Sequence, residues 1–372
     1  MLHKRKSVLI VDDSKAMCQF LTEVLSRHPE LRVVGYALDA FDARDQIKRL
    51  NPDVLTLDVE MPRMDGVTFL RNLMRLRPMP VVMLSSLTAR GAEVTLDALS
   101  VGAVDFLVKR HPGSAAELAA YADDIRRCVR TAADAQVGGQ AGKIAAKDHP
   151  QYATWAGKLR RSRAASKSLH RVVALGASTG GPNAIAEVIK TMSLANSCVL
   201  LSQHMPERFM PAFAQRLNSV GKLNACVAEQ GQTLKPGHIY VAPGDRHLEV
   251  LRRGSELCAQ ISEQDKCSGH RPSVDVMFRS VAKVVGNASI GLLLTGMGRD
   301  GADGMKALHD SRALTFAQDE VSSAVWGMPG SAVSMGAVDG VLGLTELGPI
   351  CEKLVRVSDG SISKGLKSTA MS

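Results

Sequence analysis

The chain of 372 residues has no apolar run that approaches the roughly 20 residues a bilayer-spanning helix requires, so the sequence predicts a soluble protein. It also has no C-x-x-C pair. Its seven cysteines are scattered and odd in number, which argues against a disulfide framework or a zinc site and for reduced thiols in a cytoplasm. A secretory leader is not expected: the basic start Met1 to Lys6 is followed by only a short apolar run, Val8 to Val11, and then by Asp12-Asp13. A broad basic surface is missing as well. The net charge is +9, yet residues 135–171 hold eight Lys or Arg against the single acid Asp148, so +7 of that excess sits in one stretch. The rest of the chain is nearly neutral, and the basic total does not by itself imply a nucleic-acid partner.

What is present is an alternation of strand and helix patterns. In residues 1–130 strands are expected at Ser7–Val11, Leu31–Ala37, Val54–Asp58, Pro80–Ser85 and Asp105–Val108. Helices are expected at Lys15–Ser26, Ala40–Asn51, Gly66–Leu76, Ala89–Val101 and Ala115–Arg130. Five βα units predict a doubly wound parallel sheet, whose chemistry collects at the carboxyl ends of its strands. Asp12 and Asp13 end the first strand, Asp58 the third and Ser85 the fourth, and Lys109 follows the fifth. Strand-end aspartates are often helix N-caps, and Asp13 could be one. Capping does not explain why three carboxylates, a serine and a lysine share one edge. Such carboxylates repel unless a cation lies between them, and hard oxygen donors suit Mg²⁺. A carboxylate beside Mg²⁺ and a lysine can accept a phosphoryl group.

Residues 131–170 are rich in Ala, Gly, Lys, Arg, Gln and Ser with no sustained apolar stripe, which reads as a flexible basic linker. Tyr152 and Trp155 are isolated aromatics within it, able to pack on either domain or on a partner. A basic arm for nucleic acid or membrane is the alternative, although no folded reader follows.

Alternation resumes over residues 171–356. Strands are expected at Val172–Ala177, Cys198–Gln203, Asn224–Ala228, Ile239–Ala242, Leu248–Arg252, Ser289–Leu294 and Leu314–Ala317. Helices are expected at Pro182–Thr191, Arg208–Asn218, Ser273–Val285 and Ala302–Ser311, with a β-meander insertion over 229–262. Gly176-Ala177-Ser178-Thr179-Gly180 fits G-x-S-x-G between an apolar strand and a helix that starts with Pro182, the form of a nucleophile elbow. Alone such a turn is more often a phosphate or dinucleotide loop, or merely a turn. His204 follows the second strand and Asp300 a later one, so a serine, an imidazole and a carboxylate are expected at one sheet edge. A serine needs a base to take its proton, and the base needs an acceptor to hold its tautomer. His204 read alone is a structural side chain and Asp300 a cap for the following helix. His247 and His270 compete with the first, and Asp245, Asp275 and Asp319 with the second. Glycines around Met297 suggest exposed N–H groups for an oxyanion.

The first domain resembles the receiver domain of two-component response regulators, on Asp12-Asp13, Asp58 within Leu57-Asp58-Val59-Glu60-Met61-Pro62, Asp65-Gly66, Ser85 and Lys109. The resemblance implies phosphorylation of Asp58 by a histidine kinase, Mg²⁺ held by Asp12, Asp13, Asp58 and the Glu60 carbonyl, and Ser85 and Phe106 with Lys109 as the phosphorylation switch. Arg110 stands where receivers usually carry proline. Gly176–Pro182, Gln203-His204-Met205-Pro206, Thr295–Gly301, Gly327-Met328-Pro329 and Gly336-Ala337-Val338 resemble the chemotaxis protein-glutamate methylesterase and glutamine deamidase family. That implies a Ser178-His204-Asp300 triad, Met297 at the oxyanion and Thr179 in support. It also implies methylated chemoreceptor helices as substrate, a chemotaxis histidine kinase as phosphodonor, no cofactor for the hydrolysis, no nucleic acid and no membrane insertion. The expected architecture is therefore α/β: a five-stranded flavodoxin-like receiver at 1–130, a linker at 131–170, a mainly parallel doubly wound catalytic domain at 171–356 and a tail at 357–372. An unphosphorylated receiver that covers the Ser178 edge would make the two domains a switch. The rivals are a DNA-binding or scaffold response regulator and a nucleotide site at Gly176–Gly181. The first lacks a helix-turn-helix after the receiver, and the second lacks a Walker lysine.

Overall fold

The computed structural model describes residues 5–137, 149–163, 171–194 and 196–357. The chain forms two compact units, Met1–Gly139 and Gln140–Ser372. In the first, β1 (Lys6–Val11), α1 (Lys15–Ser26), β2 (Leu31–Ala37), α2 (Ala40–Leu50), β3 (Val54–Asp58), α3 (Gly66–Leu76), β4 (Val81–Ser85), α4 (Ala89–Val101), β5 (Asp105–Val108) and α5 (Ala115–Ala132) alternate. The strands are parallel in the order β2-β1-β3-β4-β5, the flavodoxin-like order with its switch point between β1 and β3. Short apolar runs make β3 and β4 wholly buried, as strands covered on both faces must be. Cys18, Leu21 and Leu25 of α1 meet Tyr121, Ile125 and Val129 of α5 over one face of the sheet. Ser14, not Asp13, caps α1, by accepting from the Met17 N–H. Asp13 is thereby left exposed at the sheet edge.

The second unit contains α6 (Tyr152–Arg163), β6 (Arg171–Ala177), α7 (Gly181–Ile189), β7 (Ser197–Gln203), α8 (Met210–Val220), β8 (Asn224–Val227), β9 (His238–Val241), β10 (His247–Arg253), β11 (Glu256–Ser262) and α9 (Val274–Val284). It continues with β12 (Ser289–Leu293), α10 (Ala302–Asp310), β13 (Leu314–Gln318), α11 (Met328–Ser334), β14 (Gly340–Leu342) and α12 (Leu344–Val357). Seven of these strands form one parallel sheet in the order β14-β13-β12-β6-β7-β9-β8. The order reverses at β6, and the carboxyl end of that strand is where such sheets open a crevice.

Two expectations are corrected. The stretch 229–262 is not a meander: β9 lies in the main sheet, parallel to both β7 and β8, and only β10 and β11 form a separate antiparallel hairpin. The short β8–β9 connection is anchored on that hairpin through Leu234 N–H to Leu257 O and Ala259 N–H to Gln232 O. The hairpin then closes the core with Leu248, Val250 and Ala259 against Phe278 and Val281 of α9.

The linker is also shorter than expected. α5 runs on to Ala132, and α6 packs on the catalytic unit. Trp155 is buried edge-on to Phe316 at 4.9 Å and donates to Asp339 O at 3.3 Å, while Lys158 pairs with Asp339 at 2.8 Å. One tryptophan and one leucine, Leu159, supply the apolar contact that a stripe normally would. Lys143, Lys147 and Lys167 of the basic stretch, and the tail beyond residue 357, lie outside the described residues. Among the described residues no helix is long and apolar enough to cross a membrane.

Candidate active site

Parallel register brings Ser178 and His204 together. Ala177 of β6 pairs with Gln203 of β7, so the next residue on each strand, Ser178 and His204, emerges side by side. His204 Nδ1 lies 3.0 Å from Ser178 Oγ, and its Nε2 lies 2.7 Å from Asp300 Oδ2. For Nδ1 to accept the serine proton, the resting proton must sit on Nε2, where Asp300 accepts it. The two nitrogens thus exchange the roles they hold in the chymotrypsin-type triad. Gln203, almost fully buried, ties the pair together: its Nε2 donates to Ser178 O at 2.9 Å and to His204 O at 3.2 Å. A Cβ on Gly181 would strike that Gln203 amide, which explains a glycine there.

Asp300 does not cap α10, whose N-cap is Gly301. Its carboxylate instead meets the start of α9, accepting from Ser273 Oγ and the Val274 N–H at 2.7 Å each and from the Asp275 N–H at 3.2 Å. Burial alone would raise its pKa. The hydrogen bonds from His204, Ser273 and Val274 outweigh burial and hold it below the ordinary carboxylate value. Val274 can come this close because Gly176 leaves room, where a Cβ would collide with the Val274 side chain.

The segment after β12 packs beside Ser178. Ser178 N–H donates to Thr295 O at 3.0 Å, so the amide of Ser178 is already engaged. Thr295 Oγ1 donates to Thr179 O at 3.0 Å, which fixes the buried Thr179 on the same turn. Gly296 packs against Ser178 Cβ, with Met297 next in the chain.

The competing residues have other tasks. His247 is fully buried, accepting from Ser273 N–H at Nδ1, with its Nε2 3.1 Å from Asp265 O. Asp275 accepts from Gly304 N–H, Asp245 pairs with Arg271 and Asp319 accepts from Ser322 N–H. His270 is different, because its ring lies flat on His204. Sequence reasoning missed Ser273, which supports Asp300 from 27 residues away, and Gln203, which was noticed only as part of a motif.

In the first unit Asp12, Asp13 and Asp58 bring carboxylate oxygens within 4.8 Å of one another. Lys109 Nζ reaches Asp12 at 2.9 Å and Asp58 at 2.8 Å, with Arg110 following it, and the Arg110 guanidinium stacks over Tyr121. Burial pushes the Asp58 pKa up to about 6 despite Lys109, and its two carboxylate partners raise that of Lys109 against its own burial. Ser85 is buried and bonded to Thr95 Oγ1 at 2.7 Å and Gly91 O at 3.2 Å. Phe106 is half-buried on β5, and Glu60 is exposed beside Asp58.

The CheB methylesterase family profile matches residues 173–350, and the response regulator receiver domain profile matches residues 8–122. The protein-glutamate methylesterase/protein-glutamine glutaminase of Hydrogenovibrio crunogenus is 46% identical over 369 residues, covering 94% of this chain and 97% of that one. The chain belongs to that family. The protein of the same description from Salmonella choleraesuis is 46% identical over 354 residues, covering 95% and 97%. A crystal structure of the Thermotoga maritima CheB methylesterase catalytic domain is 32% identical and covers 50% of this chain and 98% of that one, with a TM-score of 0.48. The chain is thus a receiver domain joined to a methylesterase-type hydrolase domain.

Proposed function

We propose that this hydrolase removes methyl esters from glutamates, and deamidates certain glutamines, on the cytoplasmic helices of chemoreceptors, under control of its receiver. The contact that carries the reading is Ser178 Oγ to His204 Nδ1, with Nε2 of the same ring on Asp300. His204 takes the Ser178 proton as the oxygen attacks the ester or amide carbonyl. The imidazolium then gives that proton to the leaving methoxide or amine, and water, activated by His204, hydrolyses the acyl-enzyme. Asp300, kept ionised by the α9 start, stabilises the imidazolium. The Met297 N–H receives the oxyanion, and Thr179 supports the turn that presents Ser178.

In the receiver, Asp58 accepts a phosphoryl group from a chemotaxis histidine kinase. Asp12, Asp13, Asp58 and the Glu60 carbonyl would hold Mg²⁺, an all-oxygen set that suits it, and the ion would offset the charge of the incoming group. Lys109 contacts the phosphoryl group, and Ser85 and Phe106 report its arrival. A coupling of about 1–3 kcal/mol would change hydrolysis roughly 5- to 150-fold. We place the start of the catalytic domain ahead of α6, which packs with it.

The test is methanol release from methylated receptor membranes, with and without Mg²⁺ and a small phosphodonor. Release by the wild type, its loss in Ser178→Ala, and stimulation missing only in Asp58→Asn is the expected pattern. Unchanged release by Ser178→Ala would overturn the triad, and full stimulation of Asp58→Asn would overturn the switch.

A further inference from the structure

The imidazole of His270 lies on that of His204 with ring centroids 3.8 Å apart and planes 5° from parallel. We infer that His270 is a positioning residue for the reaction: its ring is a fixed plate that holds the catalytic imidazole in the plane joining Ser178 and Asp300. The inference rests on the triad reading above.

The reason lies in what two hydrogen bonds leave unfixed. His204 is held at Nδ1 by Ser178 and at Nε2 by Asp300. These two bonds do not by themselves stop the ring from rolling about its Cβ–Cγ bond. A roll turns the nitrogen lone pair away from Ser178 Oγ, and hydrogen bonds weaken steeply as they bend. A parallel ring in van der Waals contact over the whole face blocks that roll at once.

The plate is itself well held. Cys267 and His270 exchange backbone bonds in both directions, at 3.1 and 2.9 Å. The two residues between them, Ser268 and Gly269, both have positive φ, 54° and 81°, as a two-residue type I′ turn requires. On one flank Arg271 donates to Glu263 O and Gln264 O and pairs with Asp245. Three residues past His270, Ser273 donates from its backbone to buried His247 and from its hydroxyl to Asp300. One short segment therefore touches the base through His270 and the acid through Ser273. Neither contact involves the serine, so the segment sets the His204–Asp300 pair as a unit against which Ser178 is presented.

The experiment compares His270→Ala and His270→Phe with the wild type in the full chain, alongside Ser178→Ala. Three quantities are read: kcat and KM for methanol release from methylated receptor membranes, the labelling rate of Ser178 by a fluorophosphonate, and the His204 Hε1 resonance in ¹³C-histidine-labelled protein. That resonance is assigned by its disappearance in His204→Gln. The expected loss in His270→Ala is about 10- to 100-fold in kcat and in labelling rate, with KM within about twofold, as displacement of a catalytic group without loss of binding predicts. His270→Phe, which keeps a flat ring, should return both rates to within about threefold of wild type. The Hε1 signal should move downfield in His270→Ala as the ring current of the stacked face is lost, and return in His270→Phe. Unchanged kcat in His270→Ala, or a Phe variant as slow as the Ala variant, would overturn the plate. Methanol release undiminished in Ser178→Ala would instead overturn the triad itself, so the two failures are distinct.

Discussion

The two parallel sheets of this chain place chemistry at the same kind of edge and balance it in opposite ways. In the receiver, Asp12 and Asp58 share Lys109 with Asp13 close by, and Asp58 is held with its pKa pushed up to about 6. In the catalytic unit Asp300 has two backbone N–H groups, a serine hydroxyl and an imidazole on it, and its pKa lies below the ordinary value. The first edge is left short of positive charge, which a bound cation would supply. The second is complete within the chain. Incomplete electrostatics mark a site that is loaded from outside; saturated electrostatics mark one that acts by itself.

The heaviest loss of activity is expected at Ser178. Ser178→Ala should cost about 10⁵- to 10⁶-fold in turnover, read as methanol release. Asp300→Asn should follow with about 10⁴-fold, because the amide can no longer favour the proton on Nε2. Next comes the anchor of α6: Trp155→Ala should destabilise the catalytic unit by about 3–5 kcal/mol in a urea titration, as large-to-small core changes do, with the receiver transition unmoved. The receiver edge should respond in the other direction. Asp58→Asn should stabilise the receiver at pH 7 in EDTA by about 3 kcal/mol, the worth of a pKa raised from 3.8 to about 6. Added Mg²⁺ should narrow that difference. The smallest expected effect is Ser273→Ala, about 1 kcal/mol in stability from a lost cap and hydroxyl bond, with a severalfold fall in kcat.

A pH series sharpens the same contrast, and the signs differ between the units. Asp58 has a raised folded pKa, so its contribution to stability is fully present below about pH 3.8 and is lost as pH rises through about 6. Asp300 has a lowered folded pKa, so its contribution is present above the ordinary carboxylate value and is lost as pH falls through its own lower value. Acidification from pH 7 to 5 in EDTA should therefore stiffen the receiver. Further acidification should loosen the catalytic unit first, by hydrogen exchange at β6 and α9. A receiver that weakens between pH 7 and 5 would contradict the assignment at Asp58.

Most strands were readable because they are short apolar runs, though β11 and the three-residue β14 were not among those expected, and the βα alternation fixed which ends of the runs meet. Ser178 and His204 could be found on that ground, since each directly follows such a run, while Asp300 lies in the loop between β12 and α10. β9 was harder: its side chains look the same whether it belongs to a meander or to the main sheet, and only the anchoring of residues 232–234 on β11 decides. α6 was missed because Trp155, Leu159 and the Lys158–Asp339 pair hold it, and these contacts are invisible without β13 and Asp339 in place. α12 carries Pro349 inside its span, which locally argues against a helix, yet Ile350, Cys351 and Leu354 are fully buried. The Ser273 hydroxyl on Asp300 joins residues far apart in sequence, so neither one's neighbourhood signals the other.

The seat of Trp155 has a practical consequence. A catalytic fragment cut at Arg171, where the strand pattern resumes, would strip the indole from Phe316 and leave Asp339 without its lysine. The cut would turn an interior surface into an adhesive one. Such a fragment would keep every residue of the triad and still tend to self-associate, whereas one that begins ahead of His149 would carry its own cover.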